Sequence, residues 1–177
     1  QDVLDQAARV LGPVKTTATG DASTFQETAC YRSAVSDDLT VILFGKGEVD
    51  YSFDLTSRDT VRKQAQHCLT SATISRALAT ASGLRLGETQ DQVIAILGLP
   101  TRRSRNATLG TTVLAYNFQT TKGTAPLDLA RFHQRNPEMS EHDLEINFGS
   151  YSLEESIRAT FKRGSLSELW VDWSAQY

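Results

Sequence analysis

Hydrophobic residues recur along this chain at two spacings. Thr89 and Gln92 stand in the T-x-x-Q order of a capping box, and Val93, Ile96 and Leu97 follow as one helical stripe. Gly98 and Pro100 then end the helix, glycine by admitting a left-handed backbone and proline by refusing to continue. Elsewhere the period is two. Val49, Tyr51, Phe53 and Leu55 alternate with Asp50, Ser52 and Asp54, and Leu144, Ile146 and Phe148 with Glu145 and Asn147. Ile157, Ala159 and Phe161 alternate with Arg158, Thr160 and Lys162, and Leu169, Val171 and Trp173 with Glu168, Trp170 and Asp172. Such alternation predicts antiparallel strands with one packed and one wet face. Gly45-Lys46-Gly47 and Arg163-Gly164-Ser165 supply hairpin turns. The stretch 57–82 reads as helical, broken near Leu69 to Thr73.

Two segments echo each other. LDQAARVLGP near the start matches QDQVIAILGLP at 90–100, and Phe44-Gly45-Lys46-Gly47 matches Phe161-Lys162-Arg163-Gly164. The second pair lies farther apart than the first, which implies an insertion in the later half at about 120–151. The expected fold class is α+β. It consists of two helix-plus-antiparallel-sheet repeats, with helices packed on one face of the sheet and the other face solvent-exposed. Residues 1–70 form the first repeat with its linking helix, and 71–177 the second with its insertion.

Composition narrows the function. The chain has 177 residues, 40% hydrophobic and 22% charged, with a net charge of -3. It lacks the basic excess of a nucleic-acid binder. Its longest apolar runs, Val41 to Phe44 and Val93 to Leu97, are too short to cross a bilayer. The two cysteines, Cys30 and Cys68, form no CxxC pair. Cys30 lies in a strand-like run and Cys68 on the apolar side of a helical one, so they can meet across a core. A bridge there would stabilise by about 4 kcal/mol and would place the protein in an oxidising compartment, secreted or periplasmic. The alternative is a pair of buried free thiols. The opening Gln1-Asp2 suits a trimmed, exported product.

Leu86-Gly87-Glu88-Thr89-Gln90-Asp91-Gln92-Val93, then Ile96-Leu97-Gly98-Leu99-Pro100, then Tyr116-Asn117-Phe118 resembles the pattern G-x-T-x-x-x-V-x-x-x-L-G-x-P … Y-x-F. That pattern is typical of the β-lactamase-inhibitor-protein-like fold, shared with the small outer-membrane-assembly lipoproteins of the SmpA/OmlA type. The resemblance implies an exported, non-enzymatic protein that docks another protein on a concave sheet. It is good over 86–118 and thinner over 2–55, and the chain lacks the lipoproteins' cysteine at position 1.

No G-x-S-x-G, Walker loop or dinucleotide fingerprint is present, and no cofactor or metal is expected. His133 and His142 lie in HQRNPEMSEHD, whose spacing matches no zinc pattern and reads as a solvated loop. Arg102, Arg103 and Arg105 offer a grip for an anionic group, or are simply solvated. Asp50 and Asp54 share the wet strand face with many other acids. The favoured site is that face. Alternation turns Trp170 outward beside acids and Trp173 inward, and a Trp ringed by charge has the composition of an interface hot spot. Trp170, Arg158, Lys162, Glu168, Asp172 and Asn147 are the candidate binding residues. The expected function is a non-catalytic module that binds a protein or cell-envelope component. The alternative is a small-ligand-binding or hydrolytic protein with a pocket under the insertion at 121–142, whose Leu127, Leu129, Phe132 and Met139 are apolar.

Overall fold

A computed structural model describes residues 3–20, 26–47, 50–57, 67–122, 137, 138, 140 and 151–176. Helix α1 (Val3–Leu11) opens the described chain, followed by β1 (Thr17–Thr19), β2 (Gln26–Ser33), β3 (Thr40–Lys46), β4 (Asp50–Ser57) and β5 (Leu69–Ser71). Helix α2 (Gln90–Leu97) then precedes β6 (Arg102–Asn106), β7 (Thr111–Lys122), β8 (Tyr151–Lys162) and β9 (Ser165–Gln176). One sheet runs in the order β1-β2-β3-β4-β9-β8-β7-β6, and β5 adds in parallel to β2. All other pairings are antiparallel. Two meanders thus meet at the β4–β9 pair.

The expected arrangement of two helix-plus-sheet repeats, with helices packed on one face, is not what forms. Of the described residues, 52% are in strands and 13% in two short helices. Helix α1 has 9 residues and α2 has 8, each about 13 Å long at 1.5 Å per residue. Strands about 4.8 Å apart make the eight-strand path more than 30 Å wide, so two such helices cannot roof it. Much of the remaining cover is irregular chain. Residues 72–88 are turns with one bridge between Ala79 and Arg85, although 74–82 of this stretch read from sequence as part of a linking helix. They are pinned by Leu78 N to Ser75 O and by Thr80 N to Leu84 O, both 2.9 Å. Ile74 and Leu84 from this stretch are fully buried. The rest of the expected linker, 58–66, lies outside the described residues, as do the insertion 123–136 and the strand expected at 144–148.

Local signals hold where hydrogen bonding is local. Thr89 caps α2 by accepting from Gln92 N while the Gln92 side chain accepts from Thr89 N, and Gly98 ends the helix at φ 83°. The β8–β9 turn puts Arg163 and Gly164 both at positive φ, 54° and 83°, as a two-residue hairpin with the right twist requires. The first core joins Leu4 and Ala7 of α1 and Val93 of α2 to Tyr31, Ile42, Leu55, Leu114, Tyr116, Ile157, Phe161, Leu169 and Val171 on one sheet face. The Tyr31 hydroxyl donates to Gly12 O at 3.0 Å, tying β2 to the end of α1.

The opposite face is not uniformly wet. Val41 and Leu43 point away from Ile42 and Phe44, and they form a second apolar cluster with Cys30 and Cys68. Cys30 and Cys68 are disulfide-bonded, with Cα atoms 4.6 Å apart and a sequence separation of 38. The chain entering β5 is thereby fastened over β2 and β3. Replacing both cysteines by alanine should lower unfolding stability in urea by about 4 kcal/mol, the loop-entropy value for a closure of this length. A loss under about 1 kcal/mol would show that the second cluster holds without the bond.

Candidate functional site

Register determines which side chains meet on the face opposite the helices. Across β7, β8, β9, β4, β3 and β2 one row reads Ala115, Arg158, Trp170, Asp54, Leu43, Cys30. The next reads Val113, Thr160, Glu168, Thr56, Val41, Arg32. On the other side lie Asn117, Ser156, Asp172 and Ser52. The face therefore grades from a disulfide-sealed apolar patch at β2–β3 to an open polar surface at β8–β7.

Trp170 sits midway on this gradient and is half-buried. The Arg158 guanidinium carbon lies 4.8 Å from the Trp170 ring centre, a cation–π stack in which Arg158 is the exposed member. Glu168 and Asp172 flank Trp170 on β9 at alternate positions, both half-buried. Four of the expected binding residues therefore converge: Trp170, Arg158, Glu168 and Asp172. Lys162 does not join them. It stands four residues along β8 from Arg158, about 13 Å away, and it lines a separate cavity of about 480 Å³ with Asp37, Asp38, Arg76 and Arg163. Asn147 lies outside the described residues. Asp38 in that second cavity is committed to structure. Burial works against its charge, but hydrogen bonds from Thr40, the Arg76 backbone and Ser33 outweigh it and hold the carboxyl below its ordinary range.

Trp173 departs from its expected inward position. Its parity is that of the core, but it is 39% exposed, because it pairs with Tyr51 and Glu155 in a row beyond the core cover. Tyr51 and Phe118, in the same row, are exposed as well.

The sequence marks Asp54 only as a wet-face acid, whereas the structure wedges it between Leu43 and Trp170. Its Oδ1 is buried and, among the described residues, has no hydrogen-bond partner; the same holds for Thr56 Oγ1 and Arg32 Nε on that face. Burial, with the Glu168 charge adding to it, pushes the Asp54 carboxyl up to about 7. Asp172 is raised in the same direction by burial and by Asp50. Neighbours on other strands, Leu43 of β3 and Trp170 of β9, bury Asp54, so alternation along β4 alone carries no signal of it. Among the described residues no cluster of histidine, cysteine and acid suits a metal ion.

Because the folded carboxyl of Asp54 titrates higher than an unfolded aspartate, folding favours its protonated form. The stability this group contributes is complete below about pH 4 and is lost as pH rises through about 7. Asp54→Asn should therefore stabilise the fold at pH 8, by as much as about 4 kcal/mol, and change it little at pH 4. Thermal melts of both proteins from pH 4 to 8 check this. Parallel pH profiles would mean that Asp54 is solvated.

No family model, no curated protein and no solved structure matches this chain.

Proposed function

We propose that this protein is a non-catalytic binding module that docks a protein of the cell envelope or exterior on the β4–β9–β8 face. The observation that carries the reading is the Trp170–Arg158 stack, aimed away from the helices and flanked by Glu168 and Asp172. An aromatic ring and a guanidinium already stacked lose little conformational freedom when a partner arrives, and both residue types dominate binding energy at interfaces. The carboxylates around them supply directional polar contacts at the rim. The Cys30–Cys68 bond fits export to an oxidising compartment, secreted or periplasmic. The motif at Leu86–Phe118, which resembles that of the β-lactamase-inhibitor-like proteins, is in keeping with such a role.

Trp170→Ala should cost no more than about 1 kcal/mol of folding stability, since the side chain is only half-buried and lies outside both apolar clusters. A photo-crosslinking residue at position 170 should capture a defined partner from envelope extract, while the same residue at position 109, on the exposed β6–β7 turn, should not. Arg158→Ala should reduce capture at position 170. Equal capture at 170 and 109, or a collapse of the fold on removing Trp170, would overturn the reading.

A further inference from the structure

We infer that the edge of the core face beside α2 is a binding site for a phosphate group of two or more negative charges, carried as a phosphomonoester or diphosphate. A cavity of about 340 Å³ lies there, lined by Gln90, Arg103, Arg105, Thr112, Phe161 and Arg163, among others. It is on the opposite side of the sheet from Trp170. Arg103 and Arg105 alternate with Arg102 and Ser104, and their register partners Leu114 and Thr112 place them on the core side of β6. Arg163 arrives from a different element, the β8–β9 turn, at positive φ, a backbone conformation uncommon for any residue but glycine, asparagine or aspartate. Two tight turns, at Gly110 and at Arg163-Gly164, bring these arginines to one hollow.

Three like charges around one concavity repel, and among the described residues no carboxylate lines it to compensate. In a chain of net charge -3 this concentration stands out. Arg103 is held in place by donating from Nη2 to Gln90 Oε1 at 2.7 Å, which leaves the other edges of its planar fork for a ligand. The Thr112 hydroxyl adds a neutral donor on the wall. The positive end of the α2 dipole, at Gln90, adds to the same field. A tetrahedral dianion answers this arrangement better than a carboxylate. It presents three oxygens to three forks, and each guanidinium can engage two oxygens at once. The volume leaves room for a small substituent beyond the phosphate.

Inorganic pyrophosphate titrated calorimetrically into the intact protein should bind saturably. The Arg103→Gln/Arg105→Gln double variant should bind at least about tenfold more weakly. Arg102→Gln removes the same charge from the opposite side of β6 and should change affinity less than about twofold. All four residues, Arg102 to Arg105, are exposed, and melting curves check that each variant folds. Sedimentation with vesicles separates the two sources of such a phosphate. Binding to phosphatidate vesicles that pyrophosphate competes away assigns a lipid headgroup. Pyrophosphate binding without vesicle binding assigns a soluble ligand. Three outcomes would overturn the inference: no saturable pyrophosphate binding, an equal loss on Arg102→Gln, or equal binding to phosphatidylglycerol vesicles, whose phosphodiester carries only one charge.

Discussion

The pairing of β4 with β9 is what makes one sheet of two meanders. Seven residue pairs, from Asp50 opposite Ser174 to Thr56 opposite Glu168, form that seam. Without it each meander would expose an open edge, and the core that runs from Leu4 through Leu55 to Leu169 would be cut in two. The same seven pairs set Asp54 against Trp170. The candidate interface is thus built on the strand pair that the fold itself requires.

The two faces of this sheet are unequal for a reason visible at β3. Ile42 and Phe44 enter the main core while Val41 and Leu43 enter the disulfide cluster. A strand covered on both sides is the local price of attaching the chain that returns to β5. The disulfide holds that attachment where only a small apolar cluster is available to do so. Moving toward β8 the second face opens, and the half-buried acids Asp54 and Asp172 lie at the transition. Their raised protonation follows from this gradient, since each loses water on one side and meets another carboxylate on the other.

At the outer edge, β6 reads Arg-Arg-Ser-Arg-Asn and is exposed throughout. Charge on an edge strand discourages pairing with another chain. Arg103 and Arg105 serve that end whether or not an anion sits between them and Arg163. What edge protection alone leaves unexplained is the gathering of arginines from two separate hairpins at one hollow, on one side of the strand.

The capping box at Thr89–Gln92, the reversal at Gly98, the β8–β9 turn and the alternation of β4, β8 and β9 were all legible, because each depends on neighbours within a few residues. The run Val41-Ile42-Leu43-Phe44 also carries a readable signal, an unbroken apolar strand buried on both faces, and it contradicts a uniformly wet second face. The helix expected across 57–82, broken near Leu69 to Thr73, fails where it is described, because Ile74 is apolar for the sake of the sheet beneath it and not for a helical stripe. Parity gives the faces of both Trp170 and Trp173, but it does not give the exposure of Trp173, since it says nothing of where the core's cover ends. By itself, then, the order of residues determined turns, caps and the alternation of strands, and it left the two cysteines open between a bridge and a pair of free thiols. Only the tertiary structure decided which strands adjoin and that Asp54 is wedged beside Trp170. Those depend on register between segments more than a hundred residues distant, and sequence periodicity contains no information about separation of that kind.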